Sequence, residues 1–231
     1  MNKVNYDGKK TLSGRTIGFA VAASVVSAGV VAIVTSGSND STSTSTTMSS
    51  TNTTGVDGAV GPGETQPVTY DDTLPMFDSE TNDVAVGKDA PALLMHAFNG
   101  QRMTIDPGVD KKPMMLVFLA HWCPHCNAEI PVLNEWNKQG LVPDDLNVIG
   151  ITTGTRSDQP NYPPSKWVEA MEWPWAALPD SDKNEAAYAY GVTGFPTFVL
   201  IGSDGMVKYR GSGEKSVEEI DAIVKKALAL A

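Results

Sequence analysis

Beyond Cys123 and Cys126 this 231-residue chain contains no cysteine, and that shortage excludes more than it permits. A disulfide framework is out, and no cysteine borders the apolar stretch near the N-terminus, which rules out a lipoprotein-type anchor. Histidine is equally scarce, at three residues: His96, His121 and His125. A structural zinc site needs four Cys or His ligands, and here His125 lies inside the cysteine loop, pointing elsewhere if a helix starts there. A haem attachment site needs Cys-x-x-Cys-His, and position 127 is Asn. No histidine follows position 125, so a copper-delivery module lacks its downstream ligand. No internal repeat is present. A purely structural crosslink is also poorly served, because a loop this short contributes little closure entropy. What survives is a redox-active dithiol in "AHWCPHCNAEIP", residues 120–131.

Charge is missing from residues 16–35, "TIGFAVAASVVSAGVVAIVT", which follow Lys3, Lys9, Lys10 and Arg15. Twenty apolar residues in a helix cross a hydrocarbon core of roughly 30 Å. The spacing predicts a transmembrane anchor with a cytoplasmic basic N-terminus, residues 1–15. A cleaved signal peptide is the rival reading. Residues 36–66 are nearly devoid of large apolar side chains and are rich in Ser, Thr and Gly. They and residues 67–83 read as a disordered tether, with folded chain expected from Val84 to the end. The first fifteen residues carry a net +3 against −10 for the whole chain, so the remainder carries −13. An acidic exported domain has no electrostatic reason to bind nucleic acid, and it lies where dithiols can be oxidised.

Within residues 84–231 the pattern alternates. "PALLMHAFNGQRMTI" predicts a hairpin turning on Asn99-Gly100. "MMLVFLA" and "LNVIGIT" are continuous apolar runs of the kind buried on both faces of a sheet. A helix is expected after the dithiol, with Ile130, Leu133 and Trp136 facing inward and Pro131 kinking it. "PPSKWVEAMEW" and "KNEAAYAYG" read as helices, the second closed by Gly191. "TFVLIGSDGMVKYRG" is a second hairpin. "SVEEIDAIVKKALAL" is an amphipathic helix with Ser216 and Glu219 as a capping box. The aromatic-rich "NYPPSKWVEAMEWPWAAL" is read as packing. The whole predicts an α/β architecture with a mixed central sheet flanked by helices and an added N-terminal β-hairpin.

A cysteine pair at a helix start has a physical logic. Cys123 lies at the positive end of the helix dipole, among unsatisfied N–H groups that favour thiolate over thiol. Pro124 fits the first helical position, where its missing N–H costs nothing. Cys126 lies inside the first turn, able to attack a mixed disulfide but screened from solvent. Cys123 is therefore expected as nucleophile and Cys126 as resolving thiol.

The segments "VGKDAPALLMHAFNGQRMTI", "MMLVFLAHWCPHCNAEIPVLNEW" and "YGVTGFPTFVLIGSDGMVKYRGSG" resemble, in order and spacing, the membrane-anchored extracytoplasmic thioredoxin-like proteins of the TlpA/ResA type. The resemblance implies a thioredoxin fold and thiol–disulfide oxidoreductase activity, with no cofactor beyond the dithiol. It implies that Pro196 is a cis-proline facing the dithiol, with Phe195 and Thr197 framing a substrate groove. It places Trp122 at the active-site rim and makes Glu129 the acid near the resolving cysteine. Expected partners are exported cysteine-containing proteins and a membrane redox protein that recycles the dithiol.

Three positions depart from related patterns. Val117 stands where cytoplasmic-type thioredoxins carry a buried Asp, so no proton relay runs through that site. Ala120 stands where a peroxidatic signature wants Thr, which argues against a peroxidase. The dipeptide Pro124-His125 resembles that of DsbA-type oxidants. An imidazole between the cysteines, bonded to the Cys123 thiolate, would stabilise the reduced form and make the dithiol oxidising. The expected function is oxidation or isomerisation of disulfides in exported proteins. The alternatives are a reductase serving cytochrome c maturation and, from another class, a metal-binding or redox-silent scaffold module.

Overall fold

In the computed structural model, residues 60–229 are described. The basic N-terminus, the apolar span, the tether as far as residue 59 and the last two residues lie outside them. Among the described residues no helix is long and apolar enough to cross a membrane.

Among the described residues twelve elements follow one another. A two-residue strand, β1 (Thr69–Tyr70), precedes a hairpin of β2 (Leu93–His96) and β3 (Arg102–Ile105). Then come β4 (Met114–Leu119), α1 (Pro124–Lys138), β5 (Asn147–Thr152), α2 (Pro164–Ala170), β6 (Ala176–Pro179) and α3 (Glu185–Ala189). β7 (Thr197–Ile201), β8 (Val207–Ser212) and α4 (Val217–Leu228) complete the order. The main sheet runs β6-β5-β4-β7-β8, and a second, three-stranded sheet runs β1-β2-β3. β4, β5 and β6 are parallel, while β7 and β8 are antiparallel to their neighbours, so the central sheet is mixed. This is the thioredoxin fold with an added N-terminal hairpin.

β4 is apolar throughout because both of its faces are covered. Leu116 and Phe118 join Leu93, Met95, Ile105, Tyr190 and Val199 in the core beneath the hairpin. Met115, Val117 and Leu119 face the opposite core, with Ile130, Leu133 and Trp136 of α1 and Ile220 and Val224 of α4. The period-two alternation of a strand sends consecutive residues to opposite faces. The capping box of α4 forms both bonds, Glu219 N–H to Ser216 Oγ at 3.2 Å and Ser216 N–H to Glu219 Oε2 at 2.7 Å.

Three expectations need correction. The hairpin does not turn on two residues. Gly100 N–H donates to Ala97 O and Ala97 N–H to Gln101 O, leaving a three-residue loop whose last member, Gly100, has φ +85°. That is the turn-plus-left-handed-glycine solution, and Asn99 adds a side-chain acceptor for Gln101 N–H at 2.9 Å. The segment read as aromatic packing also holds a strand, β6.

The third correction is the largest. Folded chain begins well before Val84. Val68 and Leu74 are buried, Gln66 N–H donates to Asp180 O, and Glu64 accepts from Ser165 N–H and Oγ–H at the start of α2. Asp83 forms a two-pronged ion pair with buried Arg210 of β8, whose Nη1 also donates to Pro75 O and Tyr190 O. Residues 60–83 are thus a strap bound across the domain. A few polar side chains with specific partners anchor it, which its average composition conceals. Gly191 exists for this contact: any Cβ there would strike Pro75 O and Arg210 Nη1, and its φ is +62°.

Candidate functional site

Both cysteines stand where β4 hands over to α1. Cys123 is the N-cap residue, with extended backbone, and Pro124 is the first helical residue. The Cys123 carbonyl accepts from Asn127 N–H at 3.1 Å and from its Nδ2 at 2.8 Å. Asn127 also donates to His121 O and accepts from Trp167 Nε1–H at 2.9 Å, so it ties the dithiol turn to α2.

The two sulfurs differ. Cys123 is 6 % exposed and its thiol donates to Phe195 O at 3.6 Å. Cys126 is fully buried, and its sulfur accepts from Ala120 N–H at 3.4 Å. Burial pushes the Cys126 thiol far above its ordinary range, with neighbouring Cys123 and Glu129 adding to the effect and the Ala120 N–H opposing it. Loss of the Cys126 proton therefore needs help.

Glu129, one turn further on, has no exposed surface. Oε2 accepts from Lys215 N–H at 2.9 Å, while Oε1 has no partner. Loss of hydration raises its carboxyl to about 7, against the pull of the Lys215 N–H and ammonium. A carboxyl poised there can hold or release a proton near neutral pH.

The Phe195–Pro196 peptide is cis. Pro196 is buried, and its carbonyl accepts from Gly213 N–H at 2.9 Å and Ser212 Oγ–H at 3.0 Å. The Phe195 ring meets Trp122 edge-on, with centroids 6.2 Å apart, and Trp122 Nε1–H donates to Gly154 O at 2.7 Å. Trp122, Phe195 and the Gly154 turn therefore form the partly exposed wall beside Cys123. Thr197 does not share that wall. Its side chain is fully buried and donates to Gly194 O at 2.8 Å, bracing the turn from behind.

His125 is likewise not where the oxidant reading needs it. Its Nδ1 lies 2.6 Å from Glu214 Oε1, and it forms no bond to Cys123. Outward rotation to a carboxylate replaces the expected bond to the thiolate.

Sequence reasoning missed Glu214, Lys215 and the Phe195 carbonyl. The signal for the first two was faint: two charged residues between Gly213 and the Ser216 cap. Their partners lie 86 and 89 positions away, beyond any spacing rule.

Residues 86–210, more than half of the chain, match the AhpC/TSA family. The thiol:disulfide interchange protein DsbE of Yersinia pestis is 30% identical over 132 residues, covering 56% of this chain and 65% of its own length. DsbE of Pasteurella multocida is 29% identical over 130 residues, covering 56% and 67%. The alignments thus span about two thirds of those relatives. The thiol-disulfide oxidoreductase ResA of Geobacillus thermodenitrificans is 29% identical over 150 residues, covering 62% of this chain and 79% of that one. A solved putative DsbE from Chlorobium tepidum superposes with a TM-score of 0.50 at 20% identity, covering 62% of this chain and 96% of that one. That last likeness concerns the fold alone.

Proposed function

The chain belongs to the AhpC/TSA family, and on that premise we propose that it is an extracytoplasmic, membrane-anchored thiol–disulfide oxidoreductase working through Cys123 and Cys126. The observation that carries this reading is the asymmetry of the two sulfurs at one helix start. One faces the rim, and the other is sealed in the core beside a carboxyl poised near 7.

In the reducing direction, the Cys123 thiolate attacks one sulfur of a client disulfide, forming a mixed disulfide and expelling the other client sulfur as a thiolate. Cys126 then gives its proton to the Glu129 carboxylate and attacks Cys123 Sγ. The second client thiolate leaves, and the chain holds a Cys123–Cys126 disulfide. Two electrons have passed to the client, and the oxidising direction is the reverse. No cofactor takes part. The clients are exported cysteine-containing proteins, and a membrane redox protein restores the dithiol. Phe195 and Trp122 offer the apolar wall for the client chain.

The Pro-His dipeptide argues for oxidation of clients. The His125–Glu214 contact favours the second reading, a reductase such as cytochrome c maturation requires, because it withdraws the imidazole from the thiolate.

Substitution of single cysteines in the full-length protein tests the mechanism. Cys126→Ser should accumulate mixed disulfides with clients, since release depends on the second thiol, and Cys123→Ser should accumulate none. Equal trapping by both variants, or trapping by Cys123→Ser alone, would overturn the assignment. Failure of either thiol to exchange with any disulfide would leave the redox-silent scaffold.

A further inference from the structure

From the end of β8 toward α4, residues 212–215 contact three residues of the site: Pro196, Glu129 and His125. Ser212 and Gly213 hold the Pro196 carbonyl, and Lys215 N–H holds Glu129. Lys215 Nζ bonds Ser212 O and pairs with Glu80 of the strap, both at 3.1 Å. Gly213, at φ +87°, allows the chain to turn through these contacts. The remaining contact, Glu214 to His125, has no part in the exchange steps above.

We propose that Glu214 is a positioning residue that sets the dithiol–disulfide equilibrium by holding His125 away from Cys123. The inference rests on the oxidoreductase reading and adds to it a determinant of redox direction outside the cysteine motif.

A carboxylate has only acceptors to offer, so at 2.6 Å the His125 Nδ1 must carry the hydrogen and donate it to Glu214. That donor is then unavailable to the Cys123 thiolate. The negative charge of Glu214 also sits against the ring. When the imidazole is protonated, Cys123 sees an ion pair in place of a lone cation, and its field falls off faster. Both effects remove stabilisation from the reduced, ionised dithiol. The chain is therefore less oxidising than Cys-Pro-His-Cys alone suggests.

Both side chains are largely exposed, at 67% and 50%. An exposed pair of this kind contributes little to folding. The redox equilibrium, not stability, is thus the quantity that should respond.

The test is equilibration of the full-length protein with glutathione. The dithiol gives two electrons and two protons to glutathione disulfide, yielding the Cys123–Cys126 disulfide and two glutathione thiols. Glu214→Gln should shift the equilibrium constant toward the dithiol by about 3- to 10-fold, equivalent to about 15–30 mV for a two-electron couple. In a His125→Ala background the same substitution should change it by less than about 2-fold, a cycle that isolates the pair. Glu214→Lys should shift it in the same direction as Glu214→Gln, and further. An unchanged constant, a shift toward the disulfide, or an equal shift without His125 would overturn the inference. The last of these would mean that the Glu214 charge acts directly on the dithiol. A wild-type chain that does not equilibrate at all would instead overturn the oxidoreductase reading, and this inference with it.

Discussion

Glu129 holds two acceptor oxygens in a space that supplies one donor, the Lys215 N–H. Its carboxyl stands near 7, where the ordinary value is 4.5. Between those values the folded chain keeps a proton that the unfolded chain has lost. Stability contributed by the neutral acid is therefore fully present below about pH 4.5 and is lost as pH rises through about 7. Glu129→Gln should abolish that decline, leaving a smaller difference in urea midpoint between pH 5 and pH 8 than in the wild type. Exchange should move the opposite way. Resolution by Cys126 should accelerate through an inflection near pH 7 in the wild type, as the base forms. Glu129→Gln should remove the inflection and slow resolution at pH 8 by about 100-fold. Superimposable rate–pH profiles would make Glu129 an ordinary buried acid. The residue itself was legible through resemblance, as one turn past Cys126. Its burial was not, because the carboxyl is sealed by Lys215 and the β8–α4 turn, which arrive from far along the chain.

Elements with a strong local signal appear where the periodicity puts them. The apolar runs became β4 and β5, the inward stripe of α1 is Ile130, Leu133 and Trp136, and Ser216 caps α4. The strap lacks such periodicity. Its attachment depends on single pairings, above all the fully buried Arg210–Asp83 pair, with the guanidinium 5.4 Å above the Phe77 ring. No composition window over residues 67–83 can show that Asp83 meets an arginine 127 positions later. β6 was hidden for a related reason: Trp173 and Trp175 dominate its surroundings, and a four-residue strand leaves little pattern among them. The strap yields a sharp expectation. Asp83→Asn leaves a buried guanidinium without its counter-charge, a loss of about 3–5 kcal/mol for pairs of this kind. Urea unfolding should register most of that, and new protease cleavage should appear within residues 75–83. A cost below about 1 kcal/mol would mean that the two carbonyls alone hold Arg210.

For the whole molecule, charge and architecture divide the chain at different places. The basic end, the uncharged span and the Ser/Thr/Gly-rich stretch after it are the grounds of the proposed placement of the domain outside the membrane, with the first fifteen residues inside. The pattern of strands and helices predicted only a mixed α/β domain over residues 84–231, the thioredoxin fold being what the family resemblance implied, and the packed chain starts at least as early as Gly63, whose N–H donates to Phe98 O. Glu64 and Gln66 continue that attachment, so the packed domain includes the chain from Gly63 onward. The Ser/Thr/Gly-rich sequence before it is the expected site of proteolysis. Protease added to intact spheroplasts should therefore release a folded fragment that begins near residue 60 and contains both cysteines, while cytosolic proteins survive. The strap contacts require this start: a fragment beginning near Val84 would have lost Asp83 and left Arg210 unpaired. Protection of the domain in intact spheroplasts would reverse the orientation. Recovery of a soluble mature chain beginning after residue 27, without added protease, would replace the anchor with a cleaved signal peptide. A released fragment starting near Val84 would show that the strap does not hold in solution, and with it would go the predicted cost of Asp83→Asn.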